Sequence, residues 1–139
     1  MTTTSDSPSS PLSTRVGQVF IPVRDMPRAV AWYADLLGFA HDADALGHGD
    51  TIYDIPTTGQ PYLCLDANRP DFVASGPARF FLWTDDMAAT VDHLHTVGAT
   101  NVSEVEDIGS LCFVTFEDPD GNLLMAAQTA AGSTEPADA

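Results

Sequence analysis

FIPVRDMPRAVAWYADLLGF (Phe20–Phe39) and FFLWTDDMAATVDHLHTVGA (Phe80–Ala99) follow one plan twice. In the first, Val19, Ile21 and Val23 alternate with Gln18, Phe20 and Pro22, the period of a strand whose two faces meet different surroundings. Asp25 then stands where a helix N-cap belongs and Pro27 is tolerated in the first turn. Met26, Val30, Tyr33 and Leu37 recur at helical spacing before Gly38 stops the run. The second stretch predicts a strand over Arg79–Thr84, a cap at Asp86, an apolar stripe of Met87, Val91, Leu94 and Val97, and a stop at Gly98. Laid over one another, Phe20 meets Phe81, Asp25 meets Asp86, Met26 meets Met87 and Val30 meets Val91, all at an offset of 61 residues. A half-domain repeat is the organising feature of the chain.

Working outward, Thr51–Ile55 and Tyr62–Asp66 read as paired strands joined through PTTGQP, with room for one more short strand near residues 39–46. In the second half, Leu111–Phe116 and Leu123–Gln128 flank the turn DPDGN. The plan is strand, helix, then strands, made twice. Each module has about sixty residues, a marginal core when alone, so the two are expected to pack together or to exchange elements with another chain. Residues 1–14 and 130–139 are poor in large apolar groups and read as disordered tails. They bracket one domain over 15–129, with module one at about 15–70 and module two at about 76–129.

Twenty acids against five bases give the 139-residue chain a net charge of −15. The bases are all arginines: Arg15, Arg24, Arg28, Arg69 and Arg79. The tails hold only Asp6, Glu135 and Asp138, so the span 15–129 keeps seventeen acids and five arginines, a net −12. Such a surface repels phosphate backbones and anionic lipid and concentrates cations, so neither nucleic acid nor membrane is an expected partner. No run is long and apolar enough for a membrane helix, and MTTTSDSPSSPLST lacks the basic start and apolar stretch of a signal peptide. The expected location is the cytoplasm, with Cys64 and Cys112 reduced and buried.

These two stretches, together with VTFEDPDGNLLMAAQ (Val114–Gln128), resemble the vicinal oxygen chelate superfamily of glyoxalase I, bleomycin-resistance proteins, fosfomycin-resistance enzymes and extradiol dioxygenases. The resemblance covers nearly all of residues 16–129. It implies an α+β fold of two tandem βαβββ modules forming an incomplete barrel cupped around a ligand site, and a homodimer. It also implies four places for metal ligands, occupied here by Gln18, Cys64, Arg79 and Met125. Arginine has no lone pair to give, methionine is soft, and one amide and one thiol fall short of a cage for a hard or borderline ion. No metal cofactor is therefore expected. Of the other candidates, the His41–Asp50 segment reads as a solvated loop, and His93 and His95 lie two apart on a helix, where they cannot chelate together.

Strand alternation then places Gln18, Phe20, Tyr62, Cys64, Arg79, Phe81, Trp83 and Met125 in the cup, joined by Pro22, Asp66, Leu123 and Ala127. An aromatic, sulfur-rich lining with few polar groups suits a flat or amphiphilic organic ligand. The first functional expectation is a metal-free binding protein that sequesters such a ligand, cationic or aromatic, as the bleomycin-resistance branch does, with a role in antibiotic or metabolite resistance. The second is an enzyme of the superfamily, a lyase, isomerase or dioxygenase with an unrecognised ion or a reactive Cys64 or Arg79. A cysteine beside an arginine is expected to have a lowered pKa. Arg79, standing where relatives hold a metal, is expected to meet an anionic or carbonyl end of the ligand while the acidic rim attracts the rest.

Overall fold

The computed structural model describes residues 9–41 and 51–130. Most of both expected tails and of the His41–Asp50 loop, with most of the span set aside for a short strand near 39–46, therefore lies outside the described residues. Within them, module one runs β1 (Gln18–Pro22), α1 (Met26–Leu37), β2 (Ile52–Ile55) and β3 (Tyr62–Asp66). Module two runs β4 (Phe81–Trp83), α2 (Met87–Thr96), β5 (Glu106–Asp107), β6 (Leu111–Glu117) and β7 (Leu123–Thr129).

The expected signals act where they stand in the sequence. Asp25 accepts from the backbone N–H of Arg28 at 3.2 Å and Asp86 from that of Ala89 at 3.0 Å, each satisfying an amide that a helix start leaves free. Gly38 ends α1 at φ +79°, a left-handed conformation that favours glycine, and its N–H returns to the Ala34 carbonyl. Beyond α2, Gly98 adopts φ +78° for the same reason. Two differences concern strands. β4 is shorter than Arg79–Thr84, although the Arg79 and Thr84 amides still donate to Leu123 and Ala127 of β7. β5 has no apolar alternation to announce it; Glu106 and Asp107 are brought into the sheet by pairing with Phe113 and Cys112.

The strands form two sheets, ordered β1-β3-β2 and β4-β7-β6-β5. In both, the strand before the helix lies parallel to the module's last strand, and the remaining neighbours are antiparallel. Among the described residues, no strand of one sheet pairs with a strand of the other. What unites the modules is a shared apolar core of Ile21, Val23, Val30, Tyr33 and Leu65 with Leu94, Val114, Phe116 and Leu124. α1 buries seven of its twelve residues, too wide an arc for one sheet, because it also packs on module two. Its Trp32 Nε1 donates to the Val97 carbonyl at 2.8 Å.

DPDGN completes that junction. Asp118, almost fully buried, accepts from the amides of Asp120 and Asn122, from Asn122 Nδ2 and from the Tyr33 hydroxyl at 2.6 Å. Asp120 takes both Arg24 and Arg28, at 3.3 and 3.0 Å, on one carboxylate oxygen. Arg24 also caps the Phe72 ring at 4.1 Å and donates to the Phe72 carbonyl, fastening the linker between the modules. Asn122 Nδ2 donates to the Pro22 carbonyl at the end of β1. A turn of module two thus holds the first strand, the first helix and the linker.

Candidate functional site

Strand register brings the expected residues into rows across the sheets. On the first sheet, Gln18 lies beside Tyr62, and Phe20 beside Cys64, which is in turn the partner of Asp54 on β2. On the second, Phe81 lies beside Met125 and Trp83 beside Ala127, with Thr115 and Phe113 of β6 continuing those rows. The opposite face holds Ile21, Leu63 and Leu65 on sheet one and Leu124 and Ala126 on sheet two, all buried in the core. The rings of the face predicted for the cup are left to solvent, Phe20 being 55% exposed, Phe81 46%, Tyr62 44% and Trp83 40%, whereas Cys64 and Ala127 on the same face are covered. Phe81 and Trp83 meet edge to face with centroids 4.9 Å apart, and Met125 is half-buried beside them.

Polar groups alter this picture. Gln18 Nε2 donates to Asp54 Oδ1 at 2.8 Å, so the amide reaches from β1 to β2 across the intervening β3. Cys64, on that strand in the Asp54 row, is fully covered, and its thiol contacts the Leu65 carbonyl at 3.6 Å. Burial, then the neighbouring Asp54 carboxylate, push the thiol up to about 11. This corrects the expectation of a lowered cysteine pKa. The charges acting on Cys64 are Asp54 and Asp66, both negative, and no arginine is among them.

Arg79 is engaged elsewhere. Its Nε donates to Asn122 Oδ1 at 2.7 Å, and its positive charge is felt at Tyr33, beside Asp118. The turn's amide oxygen and the acids behind it give the guanidinium a better partner than the sheet face does. Burial and Asp118 together raise the Tyr33 hydroxyl well above the usual phenol range, keeping it a donor. Arg79 therefore belongs to the junction between modules, and none of the five arginines lies on a strand.

A divalent ion fits this set poorly. One of the four positions is a guanidinium committed to Asn122, one a covered thiol, one an amide bridged to Asp54, and one a thioether. Among the described residues, no group of three or more His, Cys, Asp or Glu side chains is gathered as a metal requires. His93 and His95 are both exposed, and His93 Nε2 lies 3.0 Å from the Asp35 and Leu36 carbonyls at the end of α1, a further tie between modules. Cys112 is half-buried and, like Cys64, free.

Asp54 is the residue that reading the sequence alone misses. The signal was an acid at an alternate position in the expected strand Thr51–Ile55, and only the register shows which partner it faces. A separate cleft of about 290 Å³ opens on the other side of sheet two, between the helices. Leu36, Leu82, Leu94 and Phe116 form its apolar walls. Its hydroxyls are already paired, Thr84 with Thr90 and both with the Asp86 carbonyl, and Asp86 and His93 also line it.

The comparisons with known proteins agree with this architecture. No curated protein matches the sequence. Among solved structures, the chain is similar to TnmS3, an antibiotic-binding protein from Streptomyces sp. CB03234, at 25% identity and TM-score 0.65, covering 88% of this chain and all of that one. A glyoxalase/bleomycin resistance protein from Catenulispora acidiphila is similar at 22% identity and TM-score 0.60, over 84% of this chain and all of the other. A lactoylglutathione lyase from Agrobacterium tumefaciens matches at 17% identity and TM-score 0.62, over 86% and 96%. The last two likenesses are of fold alone. The model of the glyoxalase-like domain matches residues 18–126, from the first residue of β1 to the middle of β7, and the chain belongs to that family, within the vicinal oxygen chelate superfamily.

Proposed function

We propose that this protein binds a small amphiphilic organic molecule without a metal, sequestering it in the cup lined by Phe20, Tyr62, Phe81, Trp83 and Met125. The observation that carries this reading is the state of the four inherited ligand positions. Gln18 is bridged to Asp54, Cys64 is sealed, Arg79 is bound to Asn122 and Met125 offers a soft thioether, while the aromatic groups around them stay open to solvent. Exposed rings gathered on one sheet face are what a flat ligand uses for burial and stacking. The likeness to an antibiotic-binding protein supports the same reading, and antibiotic or metabolite resistance is the biological role it suggests.

The enzymatic alternative through a reactive thiol has little support from Cys64, which is covered and raised to about 11. A homodimer belongs to the proposal. Phe20, Ile52, Tyr62, Phe81 and Trp83 leave 40 to 55% of their surfaces exposed, and a second copy alongside the sheets encloses those faces. Sedimentation should then give twice the 14.8 kDa of one chain.

Elemental analysis of the purified protein tests the reading, together with thermal shifts. Far less than one metal per chain is expected, with a melting temperature unmoved by chelator and raised by aromatic amphiphiles. About one transition metal per chain, lost to chelator with a fall in melting temperature, overturns it.

A further inference from the structure

The polar chemistry of the first sheet's open face is concentrated at one side chain. Asp54 stands at the β2 end of the row Phe20–Cys64–Asp54. Gln18 fixes its orientation through Oδ1 at 2.8 Å, and Asp54, whose carboxylate also stands against the Cys64 thiol, is exposed. Asp66, the other acid on this face, is differently placed: its Oδ1 already accepts from the Asn68 amide and from Asn68 Nδ2, both at 2.8 Å. Phe20, Tyr62 and Ile52, exposed by 55, 44 and 47%, stand on the same face.

Among the described residues, no arginine forms an ion pair with Asp54 or Asp66. The chain has no lysine, its five arginines lie off the strands, and Arg24, Arg28 and Arg79 are committed to the DPDGN turn. An oriented carboxylate among exposed rings, in no ion pair among the described residues, is complementary to a cation carried by a ligand. The carboxylate accepts its charge-assisted hydrogen bonds and the aromatic faces attract its charge. We propose that Asp54 is the anchor of the site, fixing the protonated amine or guanidinium of a ligand whose aromatic body lies against Phe20 and Tyr62. This rests on the binding function proposed above and adds the residue that reads the ligand's charge. It also reverses the polarity expected when Arg79 was placed in the cup.

The test is calorimetric titration of the full chain with 2-naphthylmethylammonium chloride and with its neutral counterpart, 2-naphthylmethanol. The native protein should bind the amine about five- to tenfold more tightly than the alcohol, a preference that shrinks as salt is raised. In Asp54→Asn the preference should vanish while the alcohol's affinity stays the same. Gln18→Ala, which removes the bridge but keeps the carboxylate's charge, should retain it. Phe20→Ala should weaken both probes by a similar factor.

An Asp54→Asn protein that melts like the native one and still prefers the amine overturns the assignment. The binding function then stands if Phe20→Ala weakens both probes. Equal affinity of the two probes for the native chain also overturns the anchor and leaves the binding function in place. Failure of both probes to bind overturns the two together.

Discussion

Tyr33→Phe probes the junction on which the two-module fold depends. The substitution removes one oxygen and keeps the ring, so it leaves no cavity in a position only 1% exposed. What is lost is the 2.6 Å hydrogen bond to Asp118, which ties α1 to the DPDGN turn. Asp118 keeps three donors, the Asp120 and Asn122 amides and Asn122 Nδ2, so its charge is not stranded. A hydrogen bond to a charged acceptor contributes about 1.5–3 kcal/mol, and the surviving donors favour the lower half of that range. For a domain of this size, about 2 kcal/mol corresponds to a fall in melting temperature of roughly 8 °C.

The pH dependence gives a second reading of the same bond. The folded-state pKa of Tyr33 is raised, so its contribution is complete below the ordinary phenol value of 10.0 and is lost as pH climbs through the folded value. Cys64, also raised, adds its own loss at alkaline pH in native protein and variant alike, and cancels in their difference. Urea unfolding of both proteins at pH 7 and at several values above 10 should show the gap between them narrowing only in the alkaline range. A gap below about 0.5 kcal/mol at pH 7, or one that stays constant through the alkaline range, refutes the role given to Tyr33.

Two other outcomes follow from the same structure. At pH 7 a thiol with a pKa of about 11 is ionised in only about one part in ten thousand, so iodoacetamide should label the half-buried Cys112 before Cys64; mass spectrometry showing the reverse order contradicts the covered thiol. Asp25→Ala and Asp86→Ala each remove a helix cap and should each cost about 1 kcal/mol. Because the modules share one core, both should lower a single unfolding transition, and two separate transitions would show that the modules unfold independently.

The fold was legible because its signals are local and repeated. Asp25, Asp86 and Gly38 cap their helices from within a few residues of chain, and the alternation in Val19–Val23 needs no partner to be read. The DPDGN turn was recognisable as structural from its composition, but not its reach: that Asp118 meets Tyr33 and Asp120 meets Arg24 and Arg28 depends on contacts some ninety residues apart in sequence. The site was less legible for the same reason. Arg79 was placed by a 61-residue offset from Gln18, which locates a Cα position but not the direction of a long side chain with a better partner behind it. Asp54 went unnoticed because its meaning comes from Gln18 reaching over β3, and β5 because two acidic residues carry no strand signal until β6 offers them an edge.

On the proposed function, a ligand enters the aromatic cup, needs no metal, and leaves the cleft between the helices empty. An amide and methyl NMR titration of chelator-treated protein with 2-naphthylmethylammonium chloride separates these places. Shifts should gather at Phe20, Asp54, Tyr62, Phe81 and Met125, none of which lines the cleft. Shifts confined to Leu36, Leu82, His93 and Leu94, or shifts at the cup that need added metal, would contradict the account.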